Sequence, residues 1–196
     1  MVARYLVVGL GNPGVTYERT RHNVGFMIID ALEQAQAVLG RDDVFLLKPQ
    51  TYMNKSGEAV REVCRREKVR PEDIIVVHDD VDLPLGTLRI GFGRGSGGHR
   101  GVESIIRALG TKDFTRLRVG VVPTTIMGKL KKPKGEGKVV GHLLGMFARG
   151  EQKKLEGIVE RAARAVAMII EHGRERAMNE FNADVSLGTP TRRRRG

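Results

Sequence analysis

Tryptophan is absent from the 196 residues, aromatic residues make up only 5%, and cysteine occurs once, at Cys64. A single cysteine cannot close an internal disulfide, and without a Cys/His cluster around it no zinc-ligand spacing is present. Cys64 therefore reads as a small apolar residue. With so few aromatics there is no stacking platform of the kind that holds single-stranded nucleic acid by its bases. No apolar run approaches the roughly 18 residues that would span a bilayer, and the N-terminus lacks the basic start and long apolar core of a secretory signal. The expectation is a cytoplasmic chain with no membrane contact. No Gly-x-Ser-x-Gly elbow occurs, and Ser96 sits in a glycine run without a supporting strand, which argues against a serine hydrolase. The Walker ending Gly-Lys-Ser/Thr is missing as well.

Acidic residues are outnumbered. The chain carries 34 Lys+Arg against 23 Asp+Glu, a net charge of +11 with a sequence pI near 10.2. That balance favours a polyanionic partner, and the weak aromatic content points to phosphate contacts rather than base reading. Four of the positive charges are Arg192 to Arg195, in a tail (186–196) whose composition reads as disordered. The body is basic too, notably at Lys129, Lys131, Lys132, Lys134 and Lys138, in a Gly/Lys/Pro-rich stretch that reads as a mobile loop.

Residues 1–185 read as one domain in which strand and helix signals alternate. Short apolar runs at Tyr5–Val8, Val44–Leu47, Ile74–Val77 and Arg116–Val122 predict strands. Helical spacing predicts helices from Val24, from a Ser56 cap, over about 102–109 with Gly110 as the stop, and over about 151–172 closed by Gly173. The expected fold is α/β, a single domain with a mixed, mostly parallel central sheet flanked by helices. Glycine spacing over 137–150 marks a candidate lid. If the first three strands are parallel, Asn12 and His22, Asn54, and Asp79 reach the same sheet edge, where such folds form clefts.

Gly9, Gly11 and Gly14 satisfy the Gly-x-Gly-x-x-Gly pattern of dinucleotide sites. The context does not fit. Pro13 interrupts the turn, helical spacing begins only at Val24, and the acidic residue at about the right distance, Asp30, falls inside that helix instead of ending a second strand. The loop leads instead to His22, which is the candidate catalytic group: a lone imidazole at a strand-turn segment.

Five segments together carry a resemblance. They are Gly9-Leu10-Gly11-Asn12-Pro13-Gly14 with Tyr17 and Thr20-Arg21-His22-Asn23; Lys48-Pro49-Gln50-Thr51-Tyr52-Met53-Asn54; His78-Asp79; Asp82-Leu83-Pro84; and Gly97-Gly98-His99-Arg100-Gly101. In order and approximate spacing the chain resembles the bacterial-type peptidyl-tRNA hydrolases over nearly its whole length. The resemblance implies a monomeric cytosolic esterase that cuts the bond between a peptide and the terminal ribose of tRNA, with no metal or organic cofactor. It places the catalytic base at His22 and its supporting carboxylate at Asp79. A neutral imidazole can take a proton from an attacking water, while a buried aspartate on the other ring nitrogen fixes the tautomer. The position of His22 before a helix N-terminus is expected to disfavour its charged form.

By the same resemblance, Asn12 and Asn54 contact the peptide end and the ester, Tyr17, Tyr52 and Met53 line the cleft, and Arg118 meets tRNA phosphate. Three departures stand out. Arg100 occupies a substrate-contact position where better-known members have asparagine. Gly91 stands where many have a basic residue, with Arg94 nearby, and the link from the first helix to Val44 is shorter than usual. The competing reading is a non-catalytic RNA-binding relative, which keeps the basic face without turning over an ester.

Overall fold

Apolar residues alternate between the two faces of the central strands, and that alternation decides the architecture. The computed structural model describes residues 4–35, 38 and 40–183. Strands β1 (Tyr5–Gly9), β2 (Val44–Leu47), β3 (Ile74–Pro84), β4 (Leu88–Phe92) and β5 (Thr115–Val122) form one sheet in the order β2-β1-β3-β5-β4. All neighbours are parallel except β4, which runs antiparallel to β5. The helices are α1 (Val24–Glu33), α2 (Ser56–Glu67), α3 (Arg100–Leu109), α4 (Glu136–Leu144), α5 (Arg149–His172) and α6 (Arg174–Ala183). The expected mixed, mostly parallel sheet flanked by helices is what the chain forms.

Leu6 and Val8 of β1 and Ile74 and Val76 of β3 pack with Val60 of α2 and Val102 and Ile105 of α3. Val7, Ile75 and Val77 turn to the other face, against Ile28 and Ile29 of α1 and Ala162 and Val166 of α5. Burial on both faces requires continuous apolar strands, which is why β1 and the first half of β3 carry almost no polar residue.

α2 and α3 approach closely at Gly57, whose backbone N–H donates to Ser104 Oγ at 3.0 Å. A Cβ at Gly57 would lie 2.1 Å from the Ser104 carbonyl oxygen. Gly57→Ala is therefore expected to lower stability by roughly 1–3 kcal/mol, because one helix must move away from the other; thermal unfolding followed by circular dichroism checks this. Cys64 is half-buried, and burial pushes its thiol up to about 11, which fits an inert packing residue.

Several expectations change. Ser56 does not cap α2: it is the first helical residue, its side chain is buried, and its hydroxyl donates to the Met53 carbonyl at 2.9 Å. β3 does not stop at His78 but runs to Pro84, because pairing with β5 continues past the apolar run. The lysine-rich stretch contains a small hairpin, with Thr124 bridged to Leu130 and Lys132 paired with Asp82, and 136–144 is helix α4. β4 and α6 went unforeseen. Leu88, Ile90 and Phe92 alternate with period two, a strand signal masked by the following glycines. Asn182 of α6 covers the exposed edge of β4: its amide accepts from Ile90 N at 2.7 Å and donates to Ile90 O at 2.9 Å. The arginine tail lies outside the described residues.

Candidate active site

Parallel strands bring the C-terminal ends of β1 and β3 to one edge, and the loops leaving them build a cleft of about 360 Å³. Its lining includes Asn12, His22, Tyr52, Met53, Asn54, His99 and Arg100, with Val139, Val140, Leu143 and Leu144 of α4 along one side. Nothing on α4 is buried.

His22 lies in the single turn (Arg21–Asn23) that precedes α1. Its Nδ1 stands 2.7 Å from Asp79 Oδ1. The same oxygen is 3.1 Å from His99 Nε2. The tautomers follow from the partners. His99 begins α3 as its N-cap, and its Nδ1 accepts from Gly101 N at 3.2 Å and Val102 N at 3.4 Å. Its proton must then sit on Nε2 and donate to Asp79. An ionised Asp79 only accepts, so His22 Nδ1 also donates, and the lone pair of His22 Nε2 is left for the cleft. Exposure agrees: 13% of the His22 side chain but only 1% of the Asp79 side chain reaches solvent.

Burial opposes the Asp79 charge, yet the charges and hydrogen bonds of His22 and His99 outweigh it and hold the carboxyl far below its usual range. Burial likewise opposes charge on His22, but Asp79 raises its pKa above the ordinary value, while Arg100 pulls it down. The expected lowering by a helix terminus thus has the wrong sign, because a carboxylate at hydrogen-bond distance outweighs a partial charge. Behind the pair His78 is completely enclosed and stays neutral through burial, its Nδ1 donating to the Asp79 carbonyl at 2.7 Å. His78 packs edge-on against the His99 ring, centroids 4.6 Å apart.

Asn12 is fixed by a residue not singled out beforehand. Buried Asn23 accepts from Asn12 N and donates to Asn12 O, both at 2.9 Å. The Asn12 side-chain oxygen accepts from Met53 N at 3.0 Å, which leaves its amide nitrogen as the atom free to donate into the cleft. Met53 is buried, whereas Tyr52 is 65% exposed and Asn54 is exposed at the mouth. The second residue of α3 is Gly101, where a Cβ would lie 2.4 Å from Met53 Sδ.

A family model described as peptidyl-tRNA hydrolase matches residues 6–189. The chain belongs to the peptidyl-tRNA hydrolase family. It is 40% identical over 197 residues to the peptidyl-tRNA hydrolase of Syntrophotalea carbinolica, covering 93% of this chain and 98% of the relative. Against that of Aquifex aeolicus it is 44% identical over 192 residues, covering 90% and 95%. The crystal structure of peptidyl-tRNA hydrolase from Acinetobacter baumannii superposes with a TM-score of 0.79 at 34% identity, covering 93% of this chain and 96% of that one.

Among the site residues expected from the peptidyl-tRNA hydrolase motifs, His22, Asp79, Asn12, Tyr52, Met53, Asn54 and Arg100 converge at the cleft. Tyr17 and Arg118 are not among its lining residues. Tyr17 is half-buried, its carbonyl accepting from Thr20 Oγ1 at 2.7 Å. Arg118 reaches Asp80 with Nε at 2.6 Å. His99 and Asn23 were missed as working residues, although both stand inside motifs already quoted. His22, Asp79 and His99 offer ligand atoms within 4.8 Å of one another, a set that can hold a metal ion only by giving up the hydrogen bonds just described.

Because Arg100 disfavours the His22 imidazolium, Arg100→Gln is expected to raise the His22 pKa further. An NMR titration of the imidazole checks the direction, and a downward shift contradicts it.

Proposed function

We propose that this chain hydrolyses the ester of peptidyl-tRNA with His22 as general base and Asp79 as its orienting carboxylate. The observation that carries the reading is the His22–Asp79 pair at 2.7 Å with the second ring nitrogen left for the cleft, in a member of this family. His22 Nε2 takes a proton from water as the water oxygen bonds to the ester carbonyl carbon, and Asp79 stabilises the imidazolium. The amide nitrogens of Asn12 and Asn54 donate to the developing oxyanion. When the bond to the ribose oxygen breaks, the imidazolium returns its proton to that oxygen, giving free tRNA and a peptide carboxylic acid that loses its proton to solvent. Tyr52 and Met53 pack on the terminal nucleotide or the peptide, with Tyr17 at the rim, and Arg100 supplies a cation where relatives use an amide.

Arg118 contributes to a phosphate contact together with Arg94 and Arg116. Arg116 is 6% exposed, its Nε has no hydrogen-bond partner, and burial together with Arg118 and Arg94 depresses its pKa despite the nearby Asp80 carboxylate. A phosphate there would further offset a buried cation that Asp80 compensates only in part. The reading includes a monomer working in the cytoplasm without a cofactor. A non-catalytic RNA-binding role is not favoured, because binding alone has no need of an oriented imidazole.

Release of an N-blocked aminoacyl group from tRNA by the intact chain tests the reading. Tight tRNA binding with no release would put the RNA-binding alternative first.

A further inference from the structure

The cleft continues past Arg100. Asn54, Gly98 and Arg100 also line a second groove of about 450 Å³, completed by Ser96, Glu103 and Arg107. Residues 100, 103 and 107 recur at helical spacing, so they share one face of α3. No aromatic side chain lines this groove, and a Cβ at Gly95, Gly97 or Gly98 would meet nothing within 4 Å. It suits a backbone rather than stacked bases.

The two arginines differ in their commitments. Among the described residues Arg107, which is exposed, makes no hydrogen bond or ion pair. Arg100 holds Glu136 of α4 at 2.5 Å, with 67% and 79% of the two side chains exposed. A pair that open is worth less than about a fivefold change in an equilibrium, and a phosphate matching the planar guanidinium with two parallel hydrogen bonds competes for it readily. Glu103 offsets one of the two arginines, so the groove gains a net positive charge only when Glu136 releases Arg100.

We propose that this groove seats phosphates of the single-stranded 3′ end of tRNA as it enters the cleft, Arg107 taking one and Arg100 exchanging Glu136 for another. The assignment rests on the esterase reading for where the 3′ end must arrive. The groove's charge and its continuity with the cleft are independent of that reading.

The test is binding of deacylated tRNA across a salt series, for the full chain and three variants. Arg107→Gln is expected to weaken binding by about fivefold at low salt and to reduce the salt slope by about 0.7, the value for one phosphate contact on a single strand. Arg107→Lys should keep the slope, since it keeps the charge. Glu136→Gln should bind more tightly than the intact chain, because Arg100 no longer has a competing carboxylate. An unchanged affinity and slope in Arg107→Gln, equal losses in the glutamine and lysine variants, or weaker binding by Glu136→Gln would overturn the proposal. Absence of peptide release by the intact chain would sink the esterase reading alone, because these binding measurements need no hydrolysis.

Discussion

His22→Ala is expected to slow release of an N-blocked aminoacyl group from tRNA by roughly 10²–10⁴-fold, about 3–5 kcal/mol of barrier. The cleft keeps its remaining donors in this variant, so some acceleration over water persists. What disappears is the group that removes the proton as water attacks. His22 donates to buried Asp79, so removing it also leaves that carboxylate with one donor fewer and is expected to lower the melting temperature, while tRNA affinity stays near that of the intact chain. Single-turnover kinetics with thermal unfolding on the same preparation separates lost chemistry from lost fold. A variant that retains its rate within about threefold would remove His22 from the mechanism.

Asp79→Asn is expected to cost a comparable factor, roughly 10²–10⁴ in rate, through a different physical route. Asparagine keeps the volume and an acceptor for Nδ1–H but has no charge to stabilise the imidazolium. Removing that charge lowers the His22 pKa, so the rising limb of the pH–rate curve should move to lower pH while the plateau falls. The two signs together are diagnostic, because a merely structural loss lowers the plateau without moving the limb. Stability carries the same signature. Asp79 has a depressed folded pKa, so its contribution is present above the ordinary carboxylate range and is lost as pH falls through and below it. His22 has a raised pKa, so its contribution is complete below about 6.5 and is lost as pH rises through the folded value. Denaturant unfolding as a function of pH should show both dependences in the intact chain and lose both in Asp79→Asn.

Much of this site was legible because its residues stand at the ends of apolar runs. Val8 to Asn12 and Val77 to Asp79 announce buried strands followed by polar residues, and parallel pairing of β1 with β3 puts those ends side by side. Position in sequence could not show how Asp79 is shared. Its second donor, His99, is 20 residues away on the first turn of α3, and only the packing of α3 over the sheet edge brings it to 3.1 Å. Asn23 was hidden for a similar reason: its two bonds to Asn12, 11 positions away, span a segment whose path the turn residues alone leave open. α4 was harder still, because glycine spacing over 137–150 marks a candidate lid without predicting a helix. The segment is a helix whose apolar residues Val139, Val140 and Leu144 line the cleft, with Leu143 both lining it and packing on the core. Arg118 shows a contact that its sequence position does not announce. This strand arginine, which the family resemblance assigns to tRNA phosphate, is half-buried and paired with Asp80, a cross-strand neighbour that sequence alone could not supply.

The central claim is that a neutral His22 drives water onto the ester, and the most direct test sets two pH titrations side by side. One is the single-turnover release rate from roughly pH 5 to 9, and the other is the NMR titration of the His22 imidazole over the same range. The account predicts one shared midpoint, above the ordinary histidine value. A rate that is flat with pH, or whose midpoint departs from that of His22, would contradict it.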